Sequence, residues 1–374
     1  MYLEKQANYV PAIGEQFIEY WRKGLTYKGH DLKFFTDKSF FQYKYLLATA
    51  YYRINQKDDN HRTIYPDDTV FIADSGGYQM ESFSRAGKTV NITPIQVLRW
   101  IENNADIGMN LDIPPWNTFK DPLKRSVENF TIFENSRINY DFKLYNVLHG
   151  KSLNEIKIWY DAVKHFAFDG WAIGIDPATN VYLQIIGYMY LDEHDALNLP
   201  GFCHFFGMSG LQNMISLAMV SEHFDTAITF DSSSYNIGSR FRKYTMPGNI
   251  RYQVEFGRNA KHNLKKIPCN CPVCNNTEIE FLYLQDNNIT PLLISLHNLY
   301  QYIETNKFVN SIICDNEFLE EYALSVNELK LVKNINKMFI DYEDHNTEYV
   351  YNAYKDLCML RETGCKERNI EGQF

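Results

Sequence analysis

Beyond residue 70, short apolar runs alternate with longer stretches that carry one apolar face. The runs are Phe71-Ile-Ala-Asp74, Ile107-Gly-Met-Asn-Leu-Asp112, Leu144-Tyr-Asn-Val-Leu-His149, Gly170-Trp-Ala-Ile-Gly174, Phe202-Cys-His-Phe-Phe206-Gly207 and Ala227-Ile-Thr-Phe-Asp231. Each has the length of a strand, and each ends in a polar residue or a glycine. Between them lie helix signals. Thr93-Pro94-Ile95-Gln96 combines an N-cap threonine, a proline at the first helical position and a glutamine three residues on. Ile95, Leu98 and Ile101 continue it as an apolar face. Pro122–Ile138 is helix-like, and Ser152-Leu-Asn-Glu155 is a second capping box that opens a helix to about Phe166. Further helical stretches follow Pro177 and run from Leu211 to Phe224. The first 70 residues are less regular: Tyr43–Tyr52 reads as a strand and Asn55–Asp68 as a polar loop.

Six strand-then-helix units, roughly 25–40 residues apart, imply a parallel sheet covered by helices. The expected fold is α/β, a (β/α)8 TIM barrel with a zinc-binding subdomain near the C-terminus. An open, doubly wound sheet competes, but it gathers only the loops near its switch point. Six furnished strand ends favour the barrel, where all of them meet on one face. On this division residues 1–70 lead into the barrel and 71–237 form its core and catalytic face. Residues 238–300 carry a basic segment and the zinc subdomain, and 301–374 add C-terminal helices without an interpretable motif.

Composition narrows the class. With 374 residues, 45% hydrophobic and 22% charged, the chain suits one large soluble domain, or one with an insertion. No apolar run approaches the ~20 residues of a membrane helix. The start, Met-Tyr-Leu-Glu-Lys-Gln, lacks the basic and apolar regions of a signal peptide, so a cytoplasmic protein with no membrane partner is expected. Seven cysteines are an odd number, and three crowd into Cys269–Cys274, which favours a metal over a disulfide framework.

The candidate chemistry sits at the strand ends. Asp74, Asp112 and Asp231 would meet at the barrel mouth, where one carboxylate can act as nucleophile and another as general acid/base. A third can accept from adjacent N–H donors of a nitrogenous ring. Each has a plainer role open to it as an N-cap of the following helix, Asp231 before three serines most of all. After Asp74, Ser75-Gly76-Gly77 would let backbone N–H groups approach a ligand, and Tyr78 offers a flat face. Net charge is −9, yet Gly238–Lys266 holds Arg240, Arg242, Lys243, Arg251, Arg258, Lys261, Lys265 and Lys266 against the single acid Glu255. That reversal suits a phosphate backbone, with a solvated basic loop as the alternative. Cys269-x-Cys271-x-x-Cys274 can wrap one structural Zn²⁺, with His297 as fourth ligand and His262 as the weaker candidate.

Taken together, these motifs resemble the tRNA-guanine transglycosylases over about residues 70 to 300. The resemblance implies roles. Asp74-Ser-Gly-Gly-Tyr-Gln79 looks like the family's acid/base signature with its stacking aromatic, and Asp112 matches the carboxylate that reads the guanine edge. His149-Gly150 stands where the family usually has Gln-Gly. Gly174 matches the glycine-rich strand end beside the heterocycle, and Phe206-Gly207 falls where another side chain covers it. Asp231 matches the nucleophile, and Cys269, Cys271, Cys274 and His297 match the zinc set. Three departures stand out: His149 itself, Ile175-Asp-Pro after Gly174, and Ser232-Ser-Ser-Tyr-Asn-Ile-Gly in place of the expected Pro-Thr-Arg. The family's DNA-modifying paralogues, often phage-borne, resemble it in this way. The implied function is therefore replacement of guanine in DNA by a 7-deazaguanine such as the 7-cyano compound, through a covalent glycosyl-aspartate. Arg240, Arg242, Lys243 and Arg251 would carry the nucleic acid, in the host cytoplasm if the gene is a phage's. The same exchange on tRNA is the alternative, and a non-catalytic partner subunit is a third reading, opposed by the presence of both Asp74 and Asp231. A zinc hydrolase is excluded by a ligand set that leaves no open position for water. A homodimer is left open.

Overall fold

The structure, a computed structural model, describes residues 3–54, 65–88, 92–115, 120–175, 181–255, 269–277, 289–313 and 326–359. Its strands in chain order are β1 (Ala7–Pro11), β2 (Thr26–Tyr27), β3 (His30–Asp31), β4 (Tyr45–Thr49), β5 (Val70–Asp74) and β6 (Ile107–Met109). Then come β7 (Lys143–Leu148), β8 (Gly170–Ile173), β9 (Cys203–Phe205), β10 (Ile228–Ser232), β11 (Lys243–Met246) and β12 (Asn249–Glu255). Helices α1 to α8 are Glu15–Arg22, Gly77–Arg85, Pro94–Asn104, Pro122–Ser136, Leu153–Val163, Val181–Glu193, Leu211–His223 and Ser234–Arg240.

Eight strands form one parallel sheet in the order β1-β10-β9-β8-β7-β6-β5-β4. A parallel bridge between Ala12 and Leu47 joins the two ends, with Ile13 N–H donating to Leu47 O at 2.8 Å, so the sheet closes into a barrel. All six units read from the sequence are present. The other two strands, β1 and β4, come from the first 70 residues, which are thus part of the barrel rather than only a lead to it. At Thr93 both halves of the capping box form. At Ser152 only one half does, because Glu155 reaches the N–H of Lys151 instead.

Strand side chains alternate between two faces. The inner face packs Val10, Tyr45, Leu47, Ile72, Ile107, Met109, Tyr145, Val147 and Ala172 into a plug. The outer face packs Phe71, Ile173, Phe205 and Phe230 against the helices. Full burial of one aliphatic side chain in either layer stabilises the fold by about 1.5–3 kcal/mol.

The long helix Ile289–Ile312 runs across residue 300 and completes the outer ring beside β1. Asn306 and Asn310 each donate an amide N–H to Ala7 O at 2.9 Å, and Tyr302 packs on Tyr9. Helix Val326–Asp344 lies along α7, where Phe339 stacks on His223 with ring centres 4.2 Å apart. Among the described residues no helix is long and apolar enough to cross a membrane.

Candidate active site and metal cluster

Counting by twos along the inner face leads from the plug to the mouth. Ile72 is followed by Asp74, Tyr145 and Val147 by His149, Ala172 by Gly174, and Thr229 by Asp231. Asp74 ends β5, where it accepts from Thr49 Oγ1 at 3.0 Å and from the Gly76 N–H at 3.3 Å. Those two donors favour the carboxylate. Burial opposes it more strongly, aided by the nearby charges of Asp112 and Asp231, and together they push Asp74 up from 3.8 to about 7. The three carboxylates therefore do converge on one site.

The Ser-Gly-Gly turn has protein-side reasons for its composition. Gly76 has a left-handed φ of 87°, and at Gly77 a Cβ would sit 1.7 Å from the carbonyl oxygen of Asp112. Ser75 is buried and donates to Asn110 O at 3.1 Å. Tyr78 is the second residue of α2 and is 40% exposed.

Asp112 Oδ2 lies 2.7 Å from His149 Nε2, and His149 Nδ1 lies 2.8 Å from Gly174 O. A carbonyl can only accept, so Nδ1 carries a hydrogen, and the contact to Asp112 needs one more between its two atoms. Both nitrogens of His149 are committed to holding Asp112 against the end of β8. Trp159 meets the imidazole edge-on at 4.8 Å. The ring also explains Gly174, where a Cβ would lie 2.3 Å from His149 Cε1. Gly150 packs against the start of α5, its hypothetical Cβ 2.6 Å from Ile156 Cγ1.

Asp231 Oδ1 accepts from the Gly207 N–H at 2.7 Å, and Phe206 lies half-buried beside it. Two residues were missed by the sequence reading. One is Thr49, the hydroxyl partner of Asp74. The other is His204, fully enclosed, with Nε2 3.4 Å from Asp231 Oδ1. Its signal was available: His204 stands two positions before Phe206 and so shares its face of the strand. A cavity of about 620 Å³ opens elsewhere, between α4 and α5, lined by Pro115, Leu123, Val127, Gly150 and Trp159. None of the three carboxylates lines it, so the chemistry is located by charge rather than by cavity size.

Of the expected phosphate contacts, Arg240 and Lys243 are exposed at the end of α8 and the start of β11. Arg242 is half-buried between them. Arg251 is placed otherwise than expected: its guanidinium forks onto the buried carboxylate of Glu328, with Nε 2.6 Å from Oε1. A bidentate pair of this kind ties β12 to helix Val326–Asp344 and leaves the guanidinium little reach for phosphate. Arg258, Lys261, Lys265, Lys266 and His262 lie outside the described residues, as does the Asp-Pro after Ile175.

Cys269, Cys271, Cys274 and His297 come together with their ligand atoms all within 4.8 Å of one another. His297 sits inside the helix Ile289–Ile312 and not at its start. Its Nε2 lies 2.8 Å from Thr245 O, which fixes the hydrogen there and turns the Nδ1 lone pair toward the sulfurs. Nδ1 is 3.3 Å from Cys271 Sγ, 3.3 Å from Cys274 Sγ and 3.7 Å from Cys269 Sγ. The Tyr244 ring lies flat on the imidazole at 3.6 Å, and its hydroxyl is 3.0 Å from Cys274 Sγ. Three thiolates and one oriented imidazole can hold a metal ion, and the set fits zinc in a closed tetrahedral site.

Residues 40–328 match the protein family described as queuine tRNA-ribosyltransferase, well over half of the chain. The chain belongs to this family. It is 28% identical over 307 residues to a tRNA-guanine(15) transglycosylase of Saccharolobus solfataricus, covering 77% of this chain and 57% of that protein. The protein of the same name from Methanocaldococcus jannaschii is 23% identical over 301 residues, covering 74% of this chain and 42% of that one. A queuine tRNA-ribosyltransferase of Helicobacter acinonychis is 26% identical over 301 residues, with coverage of 68% and 76%. This ribosyltransferase-family chain thus spans about half the length of the archaeal relatives it matches.

Proposed function

We propose that this chain exchanges guanine in a nucleic acid for a modified base by double displacement. The observation that carries the reading is the meeting of Asp74, Asp112 and Asp231 at one barrel mouth, with Asp74 raised to about 7. Asp231 attacks C1′ of the target nucleotide and forms an ester, while the C1′–N9 bond breaks and its electron pair leaves on guanine. Asp74, poised near neutrality, gives guanine its proton. It then takes a proton from the incoming base, which displaces Asp231. Asp112, held by His149, accepts from the N–H edge of the base. Tyr78 offers its exposed face for stacking, and Phe206 closes the side nearer Asp231. Cys269, Cys271, Cys274 and His297 would hold a zinc ion whose part is to pin the Cys269–Cys274 turn to the helix Ile289–Ile312, which His297 also ties to β11 through Thr245 O.

The relatives are named for tRNA, and tRNA is the first substrate we propose, with Arg240, Arg242 and Lys243 as its phosphate contacts. A specific observation favours a second reading, in which the substrate is DNA and the incoming base a 7-deazaguanine such as 7-cyano-7-deazaguanine. No arginine follows Asp231 closely: Ser234–Arg240 forms α8, with Tyr235, Asn236, Gly238 and Ser239 buried. A guanine in duplex DNA would also have to leave its stack, at about a few kcal/mol. Labelled-guanine exchange with matched tRNA and DNA, followed by nucleoside mass spectrometry, separates the two. Exchange into tRNA alone removes the DNA reading, exchange into DNA alone reverses the order, and exchange into neither refutes the function.

A further inference from the structure

Beneath the mouth, His204 points into the barrel from β9. It is fully enclosed, its Nδ1 lies 2.8 Å from Thr229 Oγ1, and its Nε2 has no hydrogen-bonding partner. Phe206 covers the ring edge-on at 4.9 Å. The atom that Nε2 approaches is Asp231 Oδ1, 3.4 Å away and out of line for a hydrogen bond. An unpaired buried nitrogen is unfavourable by about 1–3 kcal/mol, a penalty that an apolar side chain in the plug would avoid. Asp231 Oδ1 already accepts the Gly207 N–H, so both groups aimed at this carboxylate fall on the same oxygen.

We propose that His204 is a positioning residue for the nucleophile, an inference that rests on the transglycosylase reading. Thr229 donates its hydroxyl hydrogen to Nδ1, which leaves the hydrogen of the neutral ring on Nε2, facing Asp231. When nucleic acid enters, a small rotation brings that N–H onto Oδ1, as catalytic hydrogen bonds often tighten only in the complex. With Oδ1 held by Gly207 and His204, Oδ2 is the oxygen that bonds to C1′. Oδ1 becomes the carbonyl oxygen of the ester and keeps both hydrogen bonds. When the incoming base attacks C1′, the C1′–Oδ2 bond breaks, the electron pair returns to the carboxylate, and the same two donors receive the charge. His204 transfers no proton.

The test uses the full chain and guanine-containing nucleic acid, with single-turnover trapping of the protein–nucleic acid adduct. His204→Phe keeps the ring volume and loses the donor. It should slow adduct formation on the order of 100-fold with nucleic-acid affinity unchanged, as expected for a misplaced reacting group. His204→Gln, whose amide nitrogen can stand near the Nε2 position, should recover most of the rate. Thr229→Val should slow it in the same direction by a smaller factor. A His204→Phe protein that forms adduct at the wild-type rate, or a Gln variant as slow as Phe, overturns the proposal. A second readout does not need turnover. In ¹⁵N-histidine spectra, His204 should carry its hydrogen on Nε2, and that signal should move in Asp231→Asn; a hydrogen on Nδ1 alone overturns the assignment. Absence of adduct in the wild-type protein, with the Nε2 signature present, would count against the exchange reaction and not against the contact.

Discussion

Two polar clusters in this fold are built on opposite principles. At the cysteine–histidine cluster, the hydrogen on His297 Nε2 is spent on Thr245 O and the Tyr244 ring seals one side, so every donor has one destination. At the barrel mouth three carboxylates crowd together, and Asp74 is displaced well above its ordinary value, to about 7. The first arrangement gives up reactivity for rigidity. The second holds charge in a strained balance that chemistry can discharge. The carboxylate cluster is left unfinished, as the proposed reaction would need, whereas the cysteine–histidine cluster is closed, as a structural metal would need.

The sharpest break in that comparison is Asp231→Asn. Removing the proposed nucleophile should lower exchange on the order of 10⁴-fold or more. Thermal denaturation should scarcely change, because the mutation relieves like-charge crowding and opens no cavity. An adduct trapped on some other residue of this variant would show that the nucleophile is misassigned. Cys271→Ser should do the reverse: stoichiometric metal disappears by elemental analysis, and stability drops by more than ~4 kcal/mol. A variant that melts like the parent would remove the zinc site from the account.

A subtler contrast lies in pH. The folded value of Asp74 is raised above 3.8, to about 7, so between those limits the folded protein keeps a proton that the unfolded chain has lost. Stability should therefore fall as pH rises through that window and level off above it. Asp74→Asn should flatten this slope and raise the Tm at pH 8, at the expense of exchange. In the parent, single-turnover release of guanine should decline above pH 7, while entry of the new base should improve. An unchanged pH–stability curve in Asp74→Asn would contradict the raised value. The smallest effect is expected on the surface. Reversing Arg242 and Lys243 to Glu should weaken nucleic-acid binding and reduce its salt slope by about 2, with the single-turnover rate at saturation nearly unchanged. An unaltered salt slope would place the phosphate path elsewhere.

What the sequence made legible was chemistry at strand ends. Asp74, Asp112 and Asp231 were readable because each closes an apolar run, and the three cysteines because they crowd together. β1 was not readable. Ala7–Pro11 is buried along its whole length, so it lacks alternation, and Asn8, which bonds Ile228 O at 3.1 Å inside the sheet, looks like a loop residue. His204 was passed over as part of an apolar strand, although its phase matched Phe206. Arg251 was misjudged for a different reason: its partner Glu328 lies 77 residues away, a pairing that no local pattern announces. The glycines of Ser75-Gly76-Gly77 were found, but the forces acting on them are a left-handed turn and the close Asp112 backbone.

The position of β1 has a consequence for how the chain acquires its fold. This strand is made before the rest of the barrel, yet it lies between β4 and β10, and Tyr9 bonds to Ser232, 223 residues downstream. The helix that covers its outer side, Ile289–Ile312, is later still. During synthesis β1 therefore waits with a bare edge while most of the barrel emerges. Sequence-distant closure of this kind slows folding. Refolding from denaturant should show β1 amides protected last, and a chain cut before residue 289 should aggregate rather than fold.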